Sequence, residues 1–168
     1  SVQPLIALAA WRLERPVACV WSRTESMMAS TKRHPSRIRA RFGADVDGRL
    51  QAVDVDALFD TGAYASWGPT VANRVPIHAS GPYAVPHVAT RGRAILTNGP
   101  VGGAFRGFGV PQVAIAHETL MDDLATRLGM DRLELRRRNA LRVGDTTATG
   151  QRLEASCGLV ACLDALEP

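Results

Sequence analysis

Between residues 37 and 42 the chain alternates strictly, with Arg37, Arg39 and Arg41 interleaved by Ile38, Ala40 and Phe42. A period of two is the mark of a strand with one buried face. Asp47-Gly48 follows, a dipeptide suited to a tight turn, and Leu50 to Phe59 then alternates again, with Val53, Val55 and Ala57 on one parity and Asp54 and Asp56 on the other. We read this as a β-hairpin with Asp47 and Gly48 as its two loop residues. That register sets Phe42 against Val53, Ala40 against Val55 and Ile38 against Ala57, so one face is apolar. On the other face Arg41 meets Asp54 and Arg39 meets Asp56, and opposed charges of this kind contribute about 0.2–1 kcal/mol per pair. Such pairing accounts for the arginine run without a ligand.

Elsewhere the pattern is helical or broken. Pro4 to Leu13 is rich in Leu and Ala and reads as a helix, Pro16 forbids its continuation, and the apolar run Val17 to Trp21 reads as a strand. Residues 61–86 are dense in Gly, Pro, Ser and Ala, which predicts irregular structure around at most one short helix near Val71 to Ala79, forming the wall of a site. Val88 to Leu96, with Arg91 and Arg93 on one parity, predicts another strand, closed by the turn Thr97-Asn98-Gly99-Pro100. After a glycine-rich loop, Pro111 suits the first turn of a helix, and Val113, Ala116, Leu120, Leu124 and Leu128 make an apolar stripe that Gly129 ends. Asp131 and Glu134 form a capping-box-like start to a second helix, with Met130 stapled to Leu135 across the cap. A polar loop from Gly144 to Gln151 precedes an apolar, helical segment from Gly158 to Leu166. The expected class is α+β: a mixed sheet containing a β-hairpin, with packed helices.

Composition narrows the picture. At 168 residues, 46% hydrophobic and 21% charged, the chain suits one soluble domain. It opens on Ser1 inside a helix and stops at Pro168 after an apolar stretch, which we read as residues 1–168 being a single, truncated domain segment. The net charge of +4 is carried almost wholly by arginine, Lys32 being the only lysine. So small an excess does not demand a nucleic-acid partner. The three cysteines, Cys19, Cys157 and Cys162, form no C-x-x-C pair, which fits a reducing compartment and argues against a zinc or iron–sulfur site. The apolar run Leu5 to Trp11 is far short of the ~20 residues that span a bilayer. A cytoplasmic location with no membrane partner is expected.

The segment Gly102-Gly103-Ala104-Phe105-Arg106-Gly107-Phe108-Gly109 carries the candidate chemistry. It lies between a strand and a helix N-terminus, where unpaired N–H groups and the helix dipole favour an anion. It is not a nucleotide loop: P-loop spacing from Gly102 puts Phe108 where lysine is required, and the Rossmann glycine spacing is absent. One reading is a structural turn with Phe105 and Phe108 buried. The other is a planar ligand approached closely by backbone, since two aromatics bracket an arginine among glycines.

The string Gly103 to Gly109 followed by Pro111-Gln112 resembles the cofactor loop of the molybdenum hydroxylases, the family of xanthine dehydrogenases and aldehyde oxidases. The resemblance extends over Arg15-Pro16-Val17, Arg23 to Met28, Arg33-His34-Pro35, Tyr83, Pro86, Thr97-Asn98, and Arg138-Asn139 before Gly144-Asp145. It implies a fragment of the large, molybdopterin-binding subunit. The implied cofactor is molybdenum held by a pterin, possibly in the cytosine dinucleotide form, with no direct ligation by protein side chains. Iron–sulfur clusters and FAD are implied on other segments or subunits.

By position, Phe105, Arg106 and Gly107 fall where the family's loop meets the cofactor. Phe108 falls where an aromatic packs on a flat heterocyclic substrate. Arg74 matches the arginine that, in xanthine-oxidising members, faces the substrate and balances negative charge developing on the purine. A guanidinium suits that role because its charge is permanent and its donors are fixed in a planar fork. The pattern departs at Val110, where many members have glycine, and at Ser30-Thr31-Lys32, which replaces a glycine-rich approach to Arg33. No catalytic residue is implied within the chain: the base glutamate is expected downstream, and a second substrate-facing glutamate just upstream. Neither Glu118 nor Glu154 replaces the base, and His34, His78 and His117 are read as structural.

The resemblance implies oxidative hydroxylation of an aromatic N-heterocycle with water-derived oxygen, a purine of the xanthine type being favoured. An aldehyde oxidase or another N-heterocycle hydroxylase is the alternative within the class, and an inactive isolated fragment is a third reading. A basic nucleic-acid-binding module using Arg33, Arg37, Arg39 and Arg41 belongs to a different class, and the hairpin pairing argues against it.

Overall fold

The computed structural model describes residues 2–166, which fall into two compact units, 2–31 and 32–166. In the first unit, α1 (Gln3–Leu13) has Pro4 in its first turn and ends at Glu14 in a left-handed conformation. The run Val17 to Trp21 is not a strand: among the described residues it has no pairing partner, and an apolar run without a neighbouring ladder leaves its backbone groups to water. The helix α2 (Arg23–Ala29) follows instead, started by a capping box in which Ser22 Oγ accepts from Glu25 N and Glu25 accepts from Ser22 N at 2.8 Å. Ser-x-x-Glu is a legible start signal that the sequence reading missed.

In the second unit a three-stranded sheet runs in the order β1 (Ser36–Ala44), β2 (Leu50–Gly62), β3 (His87–Leu96). β1 pairs antiparallel with β2, and β2 parallel with β3, so the sheet is mixed. The hairpin pairs Phe42 with Val53, Ala40 with Val55 and Ile38 with Ala57, the register expected from the alternation. Its loop is not the two-residue turn that Asp47-Gly48 suggests. Asp45 N donates to Arg49 O and Gly48 N to Asp45 O, leaving Val46, Asp47 and Gly48 as a three-residue loop with Gly48 at φ 78°. The extra residue is absorbed by a bulge, since Gly43 opposes Ala52 while Ala44 opposes Leu50. One added loop residue and one bulged residue cancel, so the register beyond is unchanged.

The ion pairs differ from expectation. Arg41 does pair with Asp54. Asp56, however, is taken by Arg93 of β3 at 2.8 Å through both carboxylate oxygens, not by Arg39. The parallel strand on its far side offers Asp56 a second arginine, which one hairpin considered alone cannot reveal.

Two short helices, α3 (Gly68–Ala72) and α4 (Arg74–His78), cross from β2 to β3 where one was expected. They pack on the inner face of the sheet, and a Cβ on Gly92 would stand 2.2 Å from Ala72 O, so glycine is required for α3 to lie this close to β3. Val53, Val55, Ala57, Phe59, Val71, Val75, Ala79 and Val113 form the core beneath. α5 (Val110–Leu128) buries Val113, His117, Met121 and Ala125; of the predicted stripe Val113 is buried, while Ala116, Leu120, Leu124 and Leu128 are half-buried, so beyond Val113 the deeper face is displaced by one residue. α5 packs against β1, α4 and α6 (Arg132–Asn139), with Val113 in the cluster of the sheet residues Val53, Val55, Ala57 and Phe59 and with Met121 and Ala125 in the cluster of Leu50, Tyr83 and Leu135. α7 (Leu159–Asp164) completes the chain.

Asp131 caps α6 by accepting from Leu133 N and Glu134 N, and Met130 and Leu135 share one core cluster, as a staple requires. Glu134 does not reach back to close a capping box; it pairs with Arg138 one turn later. The least anticipated element is Asn139, 4% exposed. Its Nδ2 donates to Gly48 O at 2.7 Å and Leu135 O at 2.8 Å, and its Oδ1 accepts from Leu50 N at 2.8 Å, fastening α6 to the hairpin loop. Asn139→Ala would leave these buried groups unpaired and is expected to lower unfolding free energy by about 3 kcal/mol, measured by chemical denaturation.

Candidate functional site

The loop from Gly102 to Gly109 is anchored at its base by two backbone bonds, Gly102 N to Thr61 O at 3.0 Å and Gly103 N to Lys32 O at 2.9 Å. It then folds through two tight turns, Phe108 N to Phe105 O and Val110 N to Gly107 O. Gly107, Phe108 and Gly109 are all left-handed, at φ 87°, 51° and 99°. Glycine adopts that region freely, whereas for Phe108 it is strained and must be imposed by the surroundings. The imposing contact is at Gly109: a Cβ there would lie 2.6 Å from Val71 O, so the loop sits directly on the backbone of α3.

A second brace comes from Arg33, which the sequence placed in the resemblance and in the alternative nucleic-acid-binding module but not in this role. Arg33 donates to Arg106 O at 2.6 Å and to Gln112 Oε1 at 3.3 Å, and its guanidinium lies 4.5 Å from the centre of the Phe105 ring. Gln112 in turn donates to His34 O at 3.2 Å. Arg33 thus holds the loop from outside through hydrogen bonds and a cation–π contact. Spacing along the chain gives no sign of this brace, because its partners lie more than 70 residues apart.

The predicted residues separate into two situations. Phe105, Arg106 and Gly107 are exposed on the crest of the loop, with Phe105 at 49%. Phe108 is half-buried, packed on the sheet core and edge-on to the Trp67 ring at 5.8 Å. The crest is therefore not the turn with both rings buried that the sequence left open. Arg74 is half-buried at the start of α4, three residues after the Val71 whose carbonyl meets Gly109. The fold thus brings α3 and α4 to the flank of the loop.

The remaining titratable groups are held in the framework. Burial pulls the Glu118 carboxyl upward, but hydrogen bonds from His117, Arg136 and Tyr83 outweigh this and bring it to about 2. Tyr83 Oη donates at 2.8 Å and Arg136 Nη2 at 2.7 Å, and Arg136 also binds Asp122 at 2.8 Å. This network fastens α5 to α6, and a carboxylate so saturated is a poor base. Burial and then the charge of Arg74 push His78 below its ordinary value. His34 is 3% exposed beneath Gly102, its Nε2 has no partner, and burial pushes it down against the opposing pull of Asp60.

The chain matches the family described as "Molybdopterin cofactor-binding domain" over residues 1–140. It belongs to that family. It is 50% identical over 164 residues to the nicotinate dehydrogenase large molybdopterin subunit of Eubacterium barkeri, covering 98% of this chain and 39% of the relative. Among solved structures, the aldehyde oxidoreductase of Desulfovibrio gigas superposes with a TM-score of 0.85 at 39% identity, over 99% of this chain and 18% of that one. Quinoline 2-oxidoreductase from Pseudomonas putida 86 gives 0.77 at 31% identity, over 97% and 21%. The chain therefore spans about two fifths or less of each of these relatives.

The loop suits the cofactor of this family. Among the described residues, the amides of the exposed residues 104–107 make no backbone hydrogen bond, so they are available to an anionic or oxygen-bearing group beside Arg106. The left-handed glycines let the loop fold back on its own base: a Cβ on Gly107 would stand 2.7 Å from the Pro111 ring and one on Gly109 2.6 Å from Val71 O.

Two outcomes follow. Gly109→Ala combines a strained φ with a clash against Val71 O and is expected to lower the melting temperature and the content of bound molybdenum, measured by calorimetry and metal analysis. His34 and His78 both favour the neutral form in the fold, so their contribution to stability is complete above the ordinary histidine pKa of about 6.5 and is lost as pH falls below it. His34→Asn is expected to flatten the fall in melting temperature between about pH 7.5 and 5.5, leaving the part that His78 contributes.

Proposed function

We infer that this chain forms one wall of the cofactor and substrate site of a molybdenum hydroxylase that oxidises aromatic N-heterocycles with water-derived oxygen. The observation that carries the reading is the crest of Phe105, Arg106 and Gly107, open to solvent and held rigid from below, beside the half-buried aromatic ring of Phe108 and the Arg74 helix. Amides 104–107 and Arg106 would hold the cofactor, and the molybdopterin would supply the two-electron redox chemistry when bound. Phe108 offers a flat apolar surface for a heterocycle, large in area and low in entropy cost. Arg74 places a permanent positive charge for substrate charge that grows in the transition state. The base carboxylate, the iron–sulfur clusters and the flavin belong to the rest of the protein or to partner subunits. The pterin is of the cytosine dinucleotide form and the location is cytoplasmic. Among the described residues no helix is long and apolar enough to cross a membrane.

A purine of the xanthine type is the favoured substrate, because a guanidinium suits the charge that develops on that ring system. A second reading, nicotinate, is favoured by the 50% identity to the nicotinate dehydrogenase subunit, since Arg74 would equally meet a carboxylate. The test is Arg74→Met in the full-length, molybdenum-loaded protein. Turnover of xanthine should fall by about 100-fold or more, while turnover of a neutral aromatic aldehyde stays within about threefold. Nicotinate in place of xanthine as the substrate lost identifies the second reading, and unchanged kinetics with every substrate overturns the role of Arg74.

A further inference from the structure

Arg33 stands between the base of the glycine-rich loop and its crest. The residue before it, Lys32, accepts at its carbonyl from Gly103 N at the base, and the Arg33 guanidinium extends to the crest, where Nη2 donates to Arg106 O at 2.6 Å. Nη1 donates to Gln112 Oε1 at 3.3 Å in the first turn of α5, and Gln112 Nε2 donates in turn to the carbonyl of the buried His34 at 3.2 Å. The same guanidinium lies over the Phe105 ring at 4.5 Å. Only a planar fork of donors makes these contacts together. Every partner lies within residues 32–112, so the grip is complete without the rest of the protein.

What this grip decides is the direction of one peptide. Phe108 N donates to Phe105 O at 2.8 Å, which closes a four-residue turn with Arg106 and Gly107 at its centre, and Gly107 at φ 87° marks the turn as type II. Types I and II differ chiefly by a half-rotation of the central peptide, here the one joining Arg106 to Gly107, and glycine at the second central position tolerates both. The turn's own residues therefore leave the direction open. Arg33 settles it: Arg106 O is held on the guanidinium side, and because a trans peptide is planar, the Gly107 N–H points the opposite way. Gly107 is exposed, and among the described residues its N–H has no acceptor.

We propose that Arg33 is a positioning residue for the cofactor, holding Arg106 O so that the loop presents the Gly107 N–H, rather than a carbonyl oxygen, as a donor on the side away from the guanidinium. The inference rests on reading this crest as the seat of the cofactor. Its consequence is electrostatic. A peptide turned over would put a partial negative charge where the donor stood, and would repel an anionic or oxygen-bearing group instead of binding it. A purely mechanical brace is not needed here, because the turn is already closed by the bond from Phe108 N to Phe105 O, by the packing of Phe108 on the core and by the contact of Gly109 with Val71 O. None of these fixes the central peptide.

The test follows molybdenum by metal analysis through prolonged dialysis of the full-length, molybdenum-loaded protein. R33M should lose the metal at least about tenfold faster than the parent, with a melting temperature within about 5 °C of it. The Mo(V) electron paramagnetic resonance signal of loaded R33M after dithionite reduction should differ from the parental one, since a donor beside the cofactor has been replaced. R33K keeps a charged donor for Arg106 O and should restore the parental signal and hold the metal to within about threefold of the parental rate. N139A weakens the fold more, yet should keep both the parental signal and the parental rate. R33M that matches the parent in metal retention and signal overturns the proposal. So does R33K that performs no better than R33M, or N139A that loses metal as fast as R33M. A parent that carries no molybdenum as purified overturns the cofactor reading itself, and this proposal with it.

Discussion

Two glycines meeting two consecutive carbonyls hold this molecule's site together. Val71 O lies where a Cβ on Gly109 would be, and Ala72 O where a Cβ on Gly92 would be. The C-terminal end of α3 is therefore wedged between the third strand and the glycine-rich loop with no side chain intervening on either side. Three left-handed residues in a row are tolerable only because that wedge and the Arg33 brace determine the conformation from both sides. The consequence is a loop crest whose shape is set before any ligand arrives, and preorganisation of this kind reduces the entropic penalty of binding.

Behind the loop, polar groups do what a small apolar core cannot do alone. Glu118 gathers donors from Tyr83, His117 and Arg136, and Asn139 satisfies the backbone of the hairpin loop and of its own helix. Each network joins near neighbours to partners far apart in the chain, and each fixes a direction as well as a distance. Hydrogen bonds in low dielectric are strong when complete and costly when broken, so these networks specify one arrangement of α5, α6 and the sheet rather than a family of similar packings. The same saturation keeps Glu118 out of proton transfer.

The outer face of the sheet follows the opposite logic. Its inner side is closed by helices and apolar residues, while its outer side sets the arginines of β1 and β3 among the carboxylates of Asp54, Asp56 and Asp60. Alternation of strand residues makes both outcomes from one stretch of chain, because successive side chains point to opposite faces.

Much of this was legible in the order of residues. Strict alternation from Arg37 to Phe42 and from Val53 to Phe59 determined which residues of the hairpin face each other, since a slip of one position would have turned every valine to water. Asp131 and Gly129 marked helix ends by local hydrogen bonding and backbone freedom alone, and the glycine-aromatic string with Pro111-Gln112 marked the loop. Ser22 and Glu25 carried an equally local signal. What the order of residues could not decide was every choice between competitors distant in the chain: whether Arg39 or Arg93 takes Asp56, which face of α5 goes inward, whether Phe105 is bare and Phe108 half-covered, and that Arg33 and Asn139 are braces. Local pattern reports the preferences of a residue and its near neighbours, while those choices depend on which groups the parallel crossover and the packed helices bring within hydrogen-bonding reach, and only the tertiary structure contains that information.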